Sequence, residues 1–410
     1  MAANSIRTKC CIAGGGPAGM MLGFLLARAG VPVTILEKHK DFLRDFRGDT
    51  VHPSTLQLMH ELGLLADFLK LPHSKVDHVS MQIGEDTVKI ALVGLQTVCR
   101  FIAFMPQWDF LDFLADHGKK YPTFDLRMRA EASDLIEEGG GIVGLRAKTD
   151  DGPLDIRADL VVACDGRHST VRERAGFTPD NLGAPMDVMW FRISRKDGDG
   201  DEVVGHIERG RMIVMLNRGD YWQCAFVIPK DSIAEVKRRG LERFRATVAD
   251  MAPFDVGGRL GEVKSWDDVK LLTVAVDILR KWYRPGLICI GDAAHAMSPI
   301  GGVGINLAVQ DAVAAANILA NPLRRGAVTE ATLKAIQDRR EFPTWFTQRM
   351  QLTLQNNLIG PALQGEGGRP HAPLLMKMLQ WPLLNRLPAR IMANGVRPEH
   401  IHTPDAGKAG

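Results

Sequence analysis

The spacing of apolar and polar residues predicts a strand, a turn and a helix near the start of the chain. Thr8 to Ala13 form a short apolar run, a glycine-rich turn follows, and Met20 to Ala29 form an apolar segment of helical length that Gly30 closes. Val31 to Leu36 is a second β-branched run, and it ends at Glu37. This order of elements, with an acidic residue roughly 20 positions after the glycines, is typical of a dinucleotide-binding unit.

Each glycine of this turn has a mechanical task. Gly14 turns the chain, Gly16 lets the backbone approach a pyrophosphate, and Gly19 permits close packing of the helix on the strand. Pro17 suits the first helical turn, where its missing N–H would have no partner. The cofactor-binding residues expected in this unit are Gly14, Gly16, Pro17, Ala18, Gly19, Glu37 and Lys38.

A second run of glycines, Gly139 to Gly144, has the same spacing but a different context. It follows the charged segment Glu131 to Glu138 and leads into a stretch, Gly144 to Thr149, that alternates like a strand. We therefore predict a hairpin turn there. The chain then has one credible dinucleotide fingerprint and no separate nicotinamide domain.

Two later motifs make the prediction more specific. The apolar run from Leu160 ends in Asp165-Gly166 and continues to Arg172, and the run Gly286 to Ile290 ends in Gly291-Asp292 and leads into Pro299 to Asn306. In this order, the three motifs closely resemble those of the single-component (group A) FAD-dependent aromatic hydroxylases of the para-hydroxybenzoate hydroxylase type. The resemblance covers a framework of about residues 8 to 345.

The resemblance implies an α/β fold: a Rossmann-like FAD-binding domain with an inserted antiparallel β-sheet substrate domain and C-terminal helices. It also implies noncovalent FAD, with NADH or NADPH as a transient co-substrate. A flavin C4a-hydroperoxide formed with O2 would then hydroxylate a phenolic or polycyclic small molecule. The domains expected are 1–75, 101–185 and 281–345 for FAD, 76–100 and 186–280 for the substrate sheet, and 346–410 as a C-terminal helical segment.

The resemblance also implies roles for individual residues. Glu37 would hold the adenosine ribose, and Asp292 would bind the ribityl chain. Arg47 would approach the pyrophosphate or the flavin, Gln107 would contact the cofactor backbone, and Asp165 would make dual nucleotide contacts. Arg47 could instead be a solvated surface residue, and Gln107 could simply cap the helix predicted over Trp108 to His117.

The stretch Pro299 to Asn306 has a chemical rationale of its own. Its glycines let backbone N–H groups approach a planar ring, and the helix predicted from Ile305 to Leu319 directs its positive end there. Those dipoles would stabilise the charge that develops on a flavin during reduction. His295 is expected to be structural. The residues expected to support catalysis are Pro299, Gly302 and Gly304, and the other cofactor contacts expected from this motif are Gly291, Asp292, Val303, Ile305 and Asn306.

The region between the flavin motifs predicts strands over Val76 to Val93 and Val188 to Asp277. Its apolar and aromatic side chains could line a substrate pocket or form the core of the sheet. No tyrosine relay for deprotonating a phenol is evident among the three tyrosines. The candidate substrate residues are His206, Met215, Tyr221, Trp222 and Phe226. Phe191 and Met212 could also line the pocket, and His206, Arg211 or Tyr221 could activate a phenol.

The prolines after Glu341 predict short helices such as Leu374 to Gln380, which would cover the active site, form a homodimer surface or simply pack. The net charge of +3 gives no indication of nucleic acid. The six scattered cysteines lack the spacing of a metal site and are expected to be buried thiols. We also expect no membrane span and a cytoplasmic location.

Other classes share this flavin framework, namely flavin halogenases and isoprenoid double-bond reductases. Halogenases are expected to carry a Trp-x-Trp-x-Ile-Pro stretch, which Tyr221 to Pro229 does not match. A non-catalytic flavin-binding protein would be favoured by loss of the loop glycines, and these are present. The sequence therefore favours the hydroxylase.

Overall fold

The computed structural model describes residues 4–43, 50–92, 95–200, 204–208, 210–361 and 386–408. The helices in these ranges are α1 Pro17–Arg28, α2 Pro53–Glu61, α3 Leu65–Phe68, α4 Gln107–Gly118, α5 Thr170–Arg174, α6 Ile233–Arg238, α7 Leu241–Met251, α8 Gly304–Arg325, α9 Glu330–Leu354 and α10 Arg386–Asn394. The strands are β1 Asn4–Ala13, β2 Val33–Glu37, β3 Thr50–Val51, β4 Ser74–Val76, β5 His78–Ile83, β6 Asp86–Ala91, β7 Ile102–Phe104, β8 Phe124–Met128, β9 Glu131–Glu138, β10 Gly141–Thr149, β11 Gly152–Ala163, β12 Asp180–Asn181, β13 Met186–Ser194, β14 Val204–Glu208, β15 Arg211–Asn217, β16 Tyr221–Pro229, β17 Lys270–Leu272, β18 Asp277–Ile278, β19 Tyr283–Arg284 and β20 Leu287–Cys289.

The first of the two large sheets has eight strands. Five of its strands run parallel in the order β8-β2-β1-β11-β20, β19 pairs antiparallel at the edge, and the hairpin β9–β10 extends from β11. The last four residues of β1 are fully buried, as expected for a parallel strand in the interior of a sheet. Helix α1 packs against α4 and α8.

A seven-stranded sheet has the order β17-β13-β16-β15-β14-β5-β6. All neighbours in it are antiparallel except the pair β14–β5, which is parallel. The predicted α/β fold with an inserted, mainly antiparallel sheet is confirmed. The stretch predicted as strands over Val188 to Asp277 also contains α6 and α7, because Phe244, Val248 and Met251 recur at helical spacing and are buried.

The glycine run after Glu138 forms the predicted hairpin. Gly139 and Gly140 have φ angles of +58° and +81°, which glycine adopts readily, and they join β9 to β10. All six cysteines are buried free thiols, as predicted.

Helix α9 continues through Pro343 to Leu354, so the break predicted after Glu341 and the domain boundary at 345 fall inside a helix. Proline removes one backbone hydrogen bond, at a cost of about 3 kcal/mol. Here Pro343 lies on the buried face with Leu333 and Ile336, and packing along 25 residues offsets that cost. The helix predicted over Leu374 to Gln380 lies outside the described residues.

Helix α8 is apolar and, with the preceding turn from Ile300, long enough to cross a membrane by length and composition. Most of it is buried inside the fold, where it packs against α1 and α9. It is therefore the central helix of the core.

Candidate active site

The carboxyl ends of four adjacent parallel strands bring the three motifs to one edge of the first sheet. β1 leads into Gly14, β2 ends at Glu37, β11 leads into Asp165, and β20 leads into Gly291. The Cys164 N–H donates to the Ala13 carbonyl at 2.7 Å, which holds the first two motifs side by side. Ligands of open α/β sheets bind at this kind of edge.

Packing explains two of the turn glycines, and the third faces open space. Gly14 has a φ of +102°, and a Cβ there would lie 2.4 Å from the carbonyl oxygen of Cys164. A Cβ on Gly19 would lie 2.0 Å from the carbonyl oxygen of Gly14. A Cβ on Gly16 would meet nothing within 4 Å. Gly16 is therefore free of steric demand from the protein.

The start of α1 is suited to an anion. Gly16 is the N-cap, Pro17 occupies the first turn, no side chain caps the helix, and its first turn holds no acidic residue. The backbone N–H groups and the helix dipole there attract a phosphate. Ala18 is buried, and a Cβ on Gly291 would lie 3.2 Å from the Cβ of Ala18. This cradle fits the pyrophosphate of a dinucleotide.

Glu37 is buried at the end of β2, beside the glycine turn. Its Oε2 accepts from the Gly15 N–H at 3.1 Å, and its Oε1 accepts from the His39 N–H at 3.0 Å. The carboxylate therefore orders the turn itself and lies where the fold requires a ribose acceptor. Lys38 is exposed.

Asp165 supports the start of the short helix α5, whose N-cap is Ser169. Its Oδ1 accepts from the Ser169 hydroxyl at 2.5 Å, and its Oδ2 accepts from the Val171 N–H at 3.1 Å. Burial raises the pKa of Asp165, although these hydrogen bonds act to lower it. The guanidinium of Arg172 donates to the carbonyl oxygens of Arg167, at 2.6 Å, and Ala293, at 3.2 Å, and so ties the second motif to the third.

Asp292 lies in the turn after β20. Gly291 has a φ of +59°, and its N–H donates to Asp311 Oδ2 at 3.1 Å. The Asp292 side chain is 37% exposed, and its Oδ2 lies 3.9 Å from Arg167 Nη2. The backbone of this turn is held from behind, and its carboxylate remains accessible to a ligand.

The loop before α8 carries the glycines of the third motif. Gly301 and Gly302 have positive φ angles, and the Thr50 hydroxyl donates to the Gly302 carbonyl at 2.7 Å. Gly304 begins α8 without a side-chain cap, and a Cβ there would meet nothing within 4 Å. Pro299, Val303 and Ile305 are half-buried.

Asn306 was expected to contact the cofactor, but its side chain is occupied within the protein. Its Oδ1 accepts from the His52 N–H at 2.9 Å and from the Thr55 hydroxyl at 2.7 Å, and its Nδ2 donates to the Thr50 carbonyl at 3.2 Å. Asn306 therefore clamps β3 and the start of α2 behind the loop.

Three residues remain from the sequence analysis: Arg47, Gln107 and His295. Arg47 lies outside the described residues. Gln107 is half-buried and is the first residue of α4, whose start has no side-chain capping bond, so the capping alternative has no support. His295 is buried, and its Nε2 lies 2.6 Å from Asp311 Oδ2, which agrees with a structural role.

The two faces of the seven-stranded sheet differ in what they contact. One face packs against α7, and four candidate substrate residues lie on it. The His206 Nδ1 lies 2.8 Å from the Met251 carbonyl, and Trp222 Nε1 donates to Asp199 at 2.9 Å. Met215 and Phe226 are buried in the same cluster, as is Phe191. Side chains alternate between the two faces of a strand, so these residues belong to the sheet core, and their neighbours along the strands face the loop at Ile300.

The opposite face packs near Ile300 of the loop and Leu352 of α9. It carries Met212 and the partly buried side chains of Met81, Trp190 and Val214. Tyr221 shares the parity of this face on β16 but stands at the strand's beginning, paired with Ser194. Arg211 lies on the other face, where its Nη1 pairs with Asp250 Oδ2 of α7 at 2.7 Å.

Several supporting residues were not identified from the sequence. Arg172 joins the second motif to the third, and Thr50 and Asp311 hold two parts of the third motif, the Gly302 loop and the Gly291 turn. The sequence held one signal for them, namely the charged Asp311, which with Gln310 interrupts the apolar run Leu307 to Ala316. A buried charge without local partners indicates a distant one.

Comparison with known proteins identifies the family. A model of the FAD binding domain matches residues 7–350. The 6-methylpretetramide 4-monooxygenase of Streptomyces rimosus is 31% identical over 382 residues, which cover 91% of this chain and 90% of that protein. The para-nitrophenol 4-monooxygenase of Pseudomonas sp. strain WBC-3 is 25% identical over 352 residues, 82% of this chain and 83% of that protein.

Among solved structures, p-nitrophenol 4-monooxygenase PnpA from Pseudomonas putida DLL-E4 matches with a TM-score of 0.76. The match covers 96% of this chain and 100% of that one at 22% identity, and at that identity it establishes the fold. The family follows from the domain match and the 31% relative. The chain belongs to the FAD binding domain family and, within it, to the FAD-dependent aromatic monooxygenases.

Proposed function

We propose that this protein uses FAD, NADH or NADPH, and O2 to hydroxylate a phenolic or polycyclic aromatic molecule. The observation that carries the proposal is the convergence of three motifs at one edge of a parallel sheet. The similarity to a 6-methylpretetramide 4-monooxygenase along nearly the whole chain favours a polycyclic substrate over a single ring.

Residues at this edge of the sheet would each bind a different part of FAD. Gly16 and the start of α1 would receive the pyrophosphate, and Glu37 would accept from the adenosine ribose. Asp165 would support the chain beside the pyrophosphate, and Asp292 would accept from the ribityl hydroxyls. These roles agree with the open space at Gly16 and the accessible carboxylate of Asp292.

When bound, FAD supplies hydride acceptance and oxygen activation. The protein's own contribution lies in Pro299 to Gly304, where backbone N–H groups and the start of α8 would face the flavin ring. These dipoles would stabilise negative charge on a reduced ring without reorganising. Thr50, through its bond to the Gly302 carbonyl, keeps this backbone in place.

The substrate would lie between this loop and the sheet face that carries Met81, Trp190 and Val214. These side chains suit an apolar aromatic molecule. The Trp190 Nε1 is buried and has no hydrogen-bond partner in the part of the chain that the structure describes. An unpaired buried donor costs about 1 to 3 kcal/mol, so an oxygen of the substrate is the partner we propose.

Stopped-flow reduction of the FAD enzyme by NADH and by NADPH tests the proposal. The experiment is run with no aromatic, with para-nitrophenol and with 6-methylpretetramide, under 18O2 for product analysis. We expect slow reduction alone, acceleration by the polycyclic substrate and one 18O atom in the product.

The variant Gly141→Ala is the control, because that glycine lies in the β9–β10 hairpin away from the site. It should behave like the parent. Equally fast reduction without any aromatic, together with no oxygen incorporation, would favour a simple oxidase or reductase. A brominated product in added bromide would instead favour the halogenase alternative.

A further inference from the structure

A buried ionic cluster lies behind the Gly291-Asp292 turn. It consists of His295, Asp311, Arg340 and Glu399, each at most 5% exposed. Asp311 Oδ2 accepts from the Gly291 N–H at 3.1 Å and from His295 Nε2 at 2.6 Å, and Arg340 Nε donates to Asp311 Oδ1 at 2.9 Å. The cluster therefore reaches the backbone of the turn that carries Asp292.

Glu399 enters this cluster from the C-terminal segment. Its Oε1 accepts from Arg340 Nη1 at 3.2 Å and from Arg339 Nε at 2.7 Å, and Arg339 Nη2 donates to its Oε2 at 3.1 Å. The Glu399 N–H also donates to the side-chain oxygen of Gln310 on α8. A residue more than 100 positions after the Gly291 turn thus completes its support.

The charges of the cluster depend on Glu399. Two carboxylates, Asp311 and Glu399, face two guanidinium groups, Arg339 and Arg340, with His295 adding a hydrogen bond to Asp311. Burial acts to raise the pKa of Asp311, but His295 and Arg340 lower it below its usual value, so the carboxylate stays ionised. Removing the charge of Glu399 takes away the carboxylate that holds Arg340 Nη1 and leaves Asp311 as the one carboxylate facing both guanidinium groups, so the position of Arg340 against Asp311 is no longer fixed from two sides.

We propose that Glu399 is a positioning residue for the cofactor. Through Arg340 and Asp311 it fixes the backbone of Gly291 and Asp292 against the riboflavin half of FAD. The proposal rests on the placement of Asp292 at the ribityl chain given under the proposed function. It predicts that a change in the C-terminal segment weakens binding of the riboflavin half of FAD and leaves binding of the ADP half unchanged.

The test compares Glu399→Gln with the parent by titrating the apoprotein with FAD and with ADP. ADP is the probe for the glycine turn and Glu37, which the cluster does not contact. Coupled networks change binding by roughly three- to thirtyfold, so we expect the FAD dissociation constant to rise by that factor and that of ADP to stay within about twofold. Hydrogen exchange at residues 291–295 of the apoprotein should accelerate.

Glu61→Gln is the matched control, because Glu61 also anchors the C-terminal segment, through His400 and the Ile401 N–H, but touches α2 and not the Gly291 turn. It should change neither the FAD constant nor exchange at 291–295. Glu399→Asp keeps the charge and should give an intermediate effect if Glu399→Gln does not fold.

Unchanged exchange at 291–295 in the Glu399 variants would overturn the proposal. So would equal weakening of FAD and ADP, which indicates general destabilisation. If instead exchange accelerates but FAD affinity is unaltered, Glu399 supports the turn but the turn does not hold the cofactor. That outcome also overturns the positioning role, and it removes Asp292 from the ribityl site while leaving the oxygenation chemistry to its own test.

Discussion

Gly16 and Gly19 lie three residues apart in one turn, and the structure predicts opposite consequences of changing each to alanine. A Cβ on Gly16 enters open space, whereas a Cβ on Gly19 lies 2.0 Å from the carbonyl oxygen of Gly14. Gly16→Ala should therefore leave the apoprotein intact and weaken FAD binding. Gly19→Ala should destabilise the protein whether or not FAD is present.

The magnitudes follow from these contacts. Overpacking a rigid interior costs about 1 to 3 kcal/mol, and a contact between two backbone segments at Gly19 has no flexible side chain that can yield. Alanine returns up to about 1 kcal/mol through its better helix propensity, so a net loss of stability remains. At the N-cap, replacing Gly16 costs at most about 1 kcal/mol.

Gly16→Ala should affect FAD binding more strongly than it affects the stability of the apoprotein. If the pyrophosphate approaches this backbone, a methyl group separates it from N–H donors whose bonds to a charged group contribute about 1.5 to 3 kcal/mol each. One such bond corresponds to roughly a 10- to 100-fold change in the FAD dissociation constant. Calorimetry of the apoproteins and fluorescence titration with FAD measure the two quantities, with Gly141→Ala as control. If Gly16→Ala binds FAD as tightly as the parent, the pyrophosphate does not lie at Gly16.

Asp292→Asn should lower FAD affinity without lowering the apoprotein Tm, and unchanged affinity on titration would remove it from the site. Gly304→Val should slow flavin reduction more than it harms folding, since one lost donor costs about 2.7 to 4 kcal/mol in oxyanion sites; parental turnover would show that the loop does not face the flavin. Trp190→Phe should raise KM for an accepted aromatic without lowering Tm, whereas Trp222→Phe, on the opposite face, should lower Tm without raising KM; the reverse pattern would assign the substrate to the other face. Burial lowers the pKa of His52 from 6.5 to about 4, so unfolding takes up a proton in that range and stability falls by about 3 kcal/mol as pH drops from 6.5 to 4; denaturant titrations of His52→Gln should show a flatter dependence, and an equal slope would contradict the assignment.

The parts of the fold that the sequence predicted are those with local signals. The glycine turn after β1, the hairpin at Gly139 and the strand ends at Asp165 and Gly291 each follow from a few adjacent residues. Their convergence on one edge follows from parallel pairing, which places the carboxyl ends of neighbouring strands together.

What the sequence could not predict was the direction of side chains and the reach of long contacts. On β16, Trp222 and Phe226 face α7, and their neighbours Ala225 and Val227 face the loop side. A shift of one position exchanges the faces of a strand, so composition alone could not decide which set meets the substrate. The packing of α7 on one face makes that face core, and α7 lies within the stretch that the sequence analysis assigns to strands.

The long-range hydrogen bonds of helix α8 could not be predicted from the local sequence. Its polar residues Asn306, Gln310 and Asp311 are buried in an apolar helix, and each bonds a different segment: β3, the C-terminal segment and the Gly291 turn, respectively. Buried polar groups must be paired, so each of these residues fixes a segment that local pattern leaves undetermined. Because α8 also begins at the loop proposed to face the flavin, these three buried residues connect that loop to the Gly291 turn and to the C-terminal segment. Substitutions on this helix should therefore alter FAD binding even where the substituted side chain does not touch the cofactor.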